Sequence, residues 1–206
     1  MPHFPARIPK WIEWAYPQRI WKMQDSGNQL YLSFDDGPHP EITPMVLEML
    51  KQYDAKATFF CIGDRVARYP HVFHAIREAG HAVGNHTHHH LNGWKTSDEQ
   101  YLQDVQKAQA LIGTDLFRPP YGRLKSSQAK ALNDLGMKVV MWTVLSADYD
   151  KSLSPKSCAA RVLGNMRDGD IHLFHDSEKA KGNMIFALER LLEEGRKKEV
   201  RFCSMA

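Results

Sequence analysis

From Gln29 to Ser204, segments patterned as strands alternate almost without exception with segments patterned as helices. Gln29 to Phe34 reads as a strand. Thr43 then caps a helix, with Pro44 at its first position and Val46, Leu47, Leu50 and Tyr53 on one face. Ala57 to Ile62 is β-rich, Pro70 opens a helix that Gly80 closes, and Ala82 to Asn85 is a short strand. Ser97 and Gln100 form a capping box ahead of Leu102, Val105, Ala108, Leu111 and Ile112 at helical spacing. A short strand ends at Phe117-Arg118, a helix runs from Ser126 to Leu135 and stops at Gly136, and Lys138 to Val144 is the clearest buried strand. Ser154-Pro155 begins a helix ending near Gly169, and Asp170 to Phe174 is a strand. Asn183 to Glu194 is a helix closed by Gly195, and Val200 to Ser204 is the last strand. This alternation predicts an α/β fold around a parallel sheet, open and doubly wound or closed as a barrel, because each parallel neighbour needs a crossover connection.

With 206 residues, no internal repeat and no linker, the chain predicts a single domain large enough for a substantial core. Residues 29–206 carry the alternating pattern, and residues 1–28 form an aromatic, proline-punctuated N-terminal extension with Trp11, Trp14, Tyr16 and Trp21. That extension reads as a lid packed on the barrel end, with a carbohydrate or membrane contact as the other reading. The net charge of +3 comes without a Lys/Arg block beside an aromatic platform, which excludes a nucleic-acid binder. Cys61, Cys158 and Cys203 are widely spaced and offer no paired-cysteine zinc site. No segment has the apolar length of a membrane span, and the first residues lack the apolar region of a secretory signal. The expected compartment is therefore the cytoplasm, and no obligate protein partner is evident.

The polar residues fall at the carboxyl ends of the strands. Asp35 and Asp36 follow the first strand, His86 the third, Arg118 the fourth, Asp148 the fifth and His175 the sixth. In a (β/α) barrel those ends open on one face, where active sites are built. Two adjacent carboxylates are costly to hold as anions without a cation or a shared proton. One aspartate of the pair should bind a metal and the other deprotonate water. With His86 and a second histidine this makes a two-His, one-carboxylate site with open positions. Spacing alone does not choose that second histidine, since His89 and His90 lie three and four residues beyond His86. His175 is the candidate general acid, oriented by Asp148, and Arg118 is suited to pair with Asp35.

These residues carry a family resemblance. Phe34-Asp35-Asp36-Gly37-Pro38, His86-Thr87-His88-His89-His90, Arg118-Pro119-Pro120-Tyr121-Gly122, Trp142 to Tyr149 and Ile171-His172-Leu173-Phe174-His175 follow, in order, the motifs of polysaccharide deacetylases. The chain resembles the carbohydrate esterase family 4, or NodB-homology, group. The resemblance implies a distorted (β/α)7-8 barrel and a metal-dependent hydrolase that removes acetyl groups, most often N-acetyl from GlcNAc-type saccharides of peptidoglycan or chitin oligomers. It assigns Asp35 as base, Asp36, His86 and His90 as ligands of one divalent ion, and the Tyr121 backbone N–H to the oxyanion. Zinc is the first expectation, with cobalt, nickel or manganese also suited to the ligand set. His88 and His89 are expected to be bystanders or to line the groove. A non-catalytic carbohydrate-binding protein and an amidohydrolase of small cyclic imides or ureides are the alternatives, and the complete residue set argues against both.

Two departures stand out. The fourth motif has Leu145 where the family has a carboxylate, so support for Arg118 must come from elsewhere. It has Tyr149 where the family has a tryptophan walling the acetyl pocket.

Overall fold

The structure is a computed structural model that describes residues 5–24 and 27–205. The strands are β1 (Gln29–Asp35), β2 (Thr58–Cys61), β3 (Ala82–Asn85), β4 (Leu116–Phe117), β5 (Lys138–Val139), β6 (Val144–Leu145), β7 (Ile171–His175) and β8 (Arg201–Cys203). The helices are α1 (Lys10–Ala15), α2 (Ile42–Gln52), α3 (Gly63–Arg68), α4 (Pro70–Glu78), α5 (Asp98–Ile112), α6 (Ser126–Asp134), α7 (Pro155–Leu163) and α8 (Lys181–Lys197). All named strand pairings are parallel, in the order β5-β4-β3-β2-β1-β7-β6, with β8 also beside β1. The result is a distorted, open barrel wrapped in helices, as the alternation predicts.

Period-two alternation along β1 sets its two faces. Leu30, Leu32 and Phe34 point outward into the main apolar core beneath α2, α7 and α8, where Phe34 stacks on Phe59 at 5.0 Å and on Phe174 at 5.8 Å. Tyr31 joins Phe60, Leu116, Val140 and Ile171 in the inner cluster. Ser33 and Asp35 continue that inner face toward the carboxyl ends of the strands.

The single strand expected over Lys138 to Val144 is instead two short ones. Lys138 and Val139 pair with β4, whereas Val144 and Leu145 pair with β7. Between them the backbone changes partner: Ile20 N–H donates to Val139 O, Met141 N–H to Ile20 O and Thr143 N–H to Ile171 O. Residues 6–8 reach the far edge, where Leu145 N–H donates to Ala6 O and Ile8 N–H to Thr143 O. The N-terminal segment thus bridges the barrel opening. Ile8, Ile12 and Tyr16 pack on a cluster containing Tyr101, Phe117 and Met141, while Trp11 and Trp14 stay exposed.

Other boundaries also move. Thr43, expected as a helix cap, lies inside the helix: α2 begins at Ile42 with Glu41 at its N-cap, and the Thr43 hydroxyl donates to Asp176. α3 has no counterpart in the sequence reading, and α7 ends at Leu163, short of Gly169. Gly195 does not close α8, which runs on to Lys197. Its absent side chain admits the Phe202 ring of β8, which a Cβ would meet at 2.3 Å. Gly-to-Ala in a helix normally gains about 1 kcal/mol. Here Gly195→Ala should instead destabilise by about 1–3 kcal/mol through overpacking, read from urea unfolding midpoints. An unchanged or raised midpoint would contradict that contact.

Candidate active site

The turn after β1 places two carboxylates with different surroundings. Asp35 ends the strand and is buried; its Oδ1 accepts from Arg118 Nη1 at 2.9 Å, and its Oδ2 lies 3.8 Å from His86 Nε2. Asp36 follows with a left-handed φ of 80°, which swings its carboxylate away from its neighbour's pairing. Asp36 Oδ1 lies 3.2 Å from His90 Nε2 and 3.9 Å from His86 Nε2. Burial alone would raise the Asp36 pKa. The His90 hydrogen bond, with the charges of His175, His86 and His90, holds it well below the carboxylate range.

The histidine loop is held from two sides. Asp104, a buried acid on α5, accepts the backbone N–H groups of His88 at 2.8 Å and His89 at 2.9 Å, and its other oxygen pairs with His89 Nδ1. The first N–H groups of α3 donate to Thr87 O and His88 O. Left-handed φ angles at Thr87 and His90 complete the bend. Among the described residues, one group of three His, Cys, Asp or Glu side chains could hold a metal: Asp36, His86 and His90, whose ligand atoms all lie within 4.8 Å of one another. His88 and His89 stand outside it. His88 is buried against Gly63, where a Cβ would meet its Nδ1 at 2.5 Å.

Arg118 is completely buried. Besides Asp35 it donates to Ser33 Oγ at 2.8 Å, Met141 O at 2.7 Å and Val140 O at 3.3 Å, with its guanidinium 4.0 Å over the Phe60 ring. These groups supply the support that Leu145 does not. Leu145 packs instead with Ala147 and Leu173, against Trp142, Tyr149 and Leu153. Arg118 also reaches the metal-ligand cluster through its backbone, since its carbonyl lies 2.7 Å from His86 Nδ1. A carbonyl only accepts, so Nδ1 carries the proton and Nε2 keeps its lone pair. Burial lowers the His86 pKa to about 4 despite the nearby Asp35.

Tyr121 sits in a left-handed turn (φ 60°) with its ring exposed and its hydroxyl 3.1 Å from His90 Nδ1. His175 ends β7, paired directly beside Asp35 at the same carboxyl-end rim. Asp148 accepts from its backbone N–H and from its Nδ1, both at 2.8 Å. Burial alone would lower the His175 pKa. Asp148, by charge and hydrogen bond, raises it to about 9, with Asp36 and Asp35 adding. Tyr149 meets the His175 ring edge-on at 5.0 Å. Asp176 does not touch the His175 ring in a hydrogen bond; its carboxyl accepts from Thr43, and burial pushes its pKa up to about 7 against that bond.

The sequence residues Asp35, Asp36, His86, His90, Arg118, Tyr121, Asp148 and His175 therefore converge. Sequence reasoning missed Ser33 and Asp104. Ser33 lies two residues before Asp35 on the inner face. Asp104 falls between Tyr101 and Ala108 on the buried face of a helix, and an acid there needs partners.

The sequence pattern of polysaccharide deacetylases matches residues 22–140, more than half of the chain. The chain belongs to the polysaccharide deacetylase family. It is 33% identical over 192 residues to a peptidoglycan-N-acetylglucosamine deacetylase of Bacillus cereus, covering 90% of each chain. It is 35% identical to a chitooligosaccharide deacetylase of Azorhizobium caulinodans, covering 77% of each. A crystal structure of the Bc1960 peptidoglycan N-acetylglucosamine deacetylase, bound to a naphthalenyl N-hydroxybenzamide, superposes with a TM-score of 0.88 at 28% identity. That match covers 96% of this chain and 95% of that one. With these deacetylases as its relatives over most of its length, the chain is an enzyme, a carbohydrate deacetylase.

Proposed function

We propose that this polysaccharide deacetylase hydrolyses N-acetyl groups on GlcNAc-type saccharides, peptidoglycan or chitin oligomers, with the aid of one divalent metal ion, zinc first. The observation that carries the reading is the convergence of Asp35, of the Asp36, His86 and His90 cluster, and of the Asp148-paired His175 on one rim. The names of the relatives support the substrate class. The residues fit a metal: His86 Nε2 has its lone pair free, His90 Nε2 and Asp36 Oδ1 stand beside it, and the set is two imidazoles and a carboxylate. When bound there, such an ion would supply Lewis acidity to the amide carbonyl and acidify water.

The side chains provide the rest. Asp35, aimed by Arg118, takes a proton from the attacking water through Oδ2. The Tyr121 backbone N–H donates to the oxygen of the tetrahedral adduct. Protonated His175 gives its Nε2 proton to the departing amine, leaving acetate and a free amino sugar. Trp94 is exposed, with the Arg123 guanidinium 5.0 Å over its ring, and it offers a stacking surface to a neighbouring sugar.

The test is acetate release from GlcNAc oligomers, peptidoglycan fragments and acetylxylan, before and after treatment with a chelator. Chelation should abolish release from the N-acetylated substrates, and zinc should restore it. Release that survives complete metal removal would refute metal dependence, and release from acetylxylan alone would refute the N-acetyl assignment.

A further inference from the structure

Gly37 and Asp176 lie on different loops of the site, and the space where a Gly37 side chain would be is filled by the Asp176 carboxyl. A Cβ on Gly37 would fall 2.1 Å from Asp176 Oδ2 and 2.6 Å from Oδ1. Gly37 is not among the glycines with a positive φ. Close approach, not backbone freedom, reserves this position for glycine. Asp176 is fully buried, and burying a carboxyl is costly unless it is satisfied. Its Oδ2 accepts from the Thr43 hydroxyl, which itself accepts His39 N–H at 2.8 Å, while Oδ1 has no partner. The Asp176 backbone N–H donates to Asp35 O at 3.2 Å, and on the other flank Ile62 N–H donates to Gly37 O at 2.9 Å.

A buried polar side chain with an unmade hydrogen bond is a poor choice for packing alone, since an apolar residue would fill the same space at lower cost. The carboxyl seated against Gly37 and the backbone N–H bonded to Asp35 O join the Asp35-Asp36-Gly37 turn to the end of β7, where His175 sits. We infer that Asp176 is a positioning residue: with Gly37 as its socket and Thr43 as its anchor, it fixes the turn that carries the base and the carboxylate ligand relative to the acid. Groups that orient metal ligands from behind typically change metal affinity by about 10–100-fold when removed.

The inference rests on the metal-dependent reading above, so the experiment measures zinc affinity and thermal melting of the metal-free protein together. Asp176→Ala and Gly37→Ala should each weaken zinc binding by about tenfold or more. Asp176→Asn, which keeps the volume and an oxygen for Thr43, should bind as the wild type does. The double variant Gly37→Ala/Asp176→Ala should bind zinc more tightly than Gly37→Ala alone, because the clash is gone. Wild-type affinity in Asp176→Ala, or losses that simply multiply in the double variant, would overturn the inference. Should Asp176→Ala show no melting transition, Thr43→Val and Gly37→Ala decide, and wild-type affinity in both would overturn it. His86→Ala separates the two levels. If it keeps zinc affinity, the ligand assignment itself is wrong; if it loses zinc while Asp176→Ala keeps it, only the positioning role fails.

Discussion

Asp35→Asn should reduce the rate of acetate release by roughly 10²–10⁴-fold, the range for loss of a positioned general base. Asp35 has one oxygen committed to Arg118, and the other, Oδ2, lies 3.8 Å from His86 Nε2, beside the ligand cluster. An asparagine keeps the shape but has no basic atom to place there. A second effect is independent of chemistry. Arg118 is completely buried, and Asp35 is the anion it pairs with. Removing one member of a buried pair costs about 3–5 kcal/mol. The Ser33 hydroxyl and the Val140 and Met141 carbonyls still accept from the guanidinium, so the loss should fall toward the lower end. Urea unfolding gives the stability term, and bound zinc, which this substitution should leave in place, shows that the ligand set survives. The double change Asp35→Leu/Arg118→Met should recover stability without recovering activity. Activity within tenfold of wild type in Asp35→Asn would rule out Asp35 as the base.

The site was more legible in the sequence than the edges of the fold, and the reason is physical. Active sites of (β/α) barrels are built at the carboxyl ends of the strands, so a strand pattern followed by Asp35, His86, Arg118 or His175 marks the candidate residues one by one. Boundaries depend on partners that pattern does not name. Lys138 to Val144 is uniformly apolar enough to read as one strand, yet its hydrogen bonds pass from β4 to Ile20 and then to β7. Nothing in the residues themselves announces that exchange. Gly195 looks like a helix stop, and only the distant Phe202 ring shows that it is a socket. The support for Arg118 was illegible for a related reason: two of its acceptors are backbone carbonyls, and every residue has one. Ser33 and Asp104 could have been found by carrying the periods of β1 and α5 inward.

Asp148→Asn should move the high-pH limit of activity downward while leaving the metal ligands untouched. The wild-type His175 pKa is raised to about 9 although burial alone would lower it. Asp148 leads that rise, through its charge and a 2.8 Å hydrogen bond to Nδ1, ahead of Asp36 and Asp35. A general acid works only while protonated, so wild-type activity should persist through neutral pH and fall as pH passes about 9. Without the Asp148 charge, burial is opposed only by the more distant carboxylates. The alkaline limb should then fall toward or below the ordinary histidine value of 6.5. An asparagine also accepts with one atom and donates with the other, so it cannot receive both the backbone N–H and the Nδ1–H of His175 as Asp148 does. Near pH 8 the variant should therefore lose most of its activity, and part of it should return on acidification. The linkage has a definite sign. A pKa raised on folding stabilises the folded chain fully below about 6.5, and that contribution is lost as pH rises through about 9. Wild-type stability should thus decline across that window, and Asp148→Asn should flatten the decline. The pH profile of kcat, with a titration of the His175 ring protons by NMR, reads both. An alkaline limb that stays near pH 9 in Asp148→Asn would mean that some other group supplies the proton to the leaving amine.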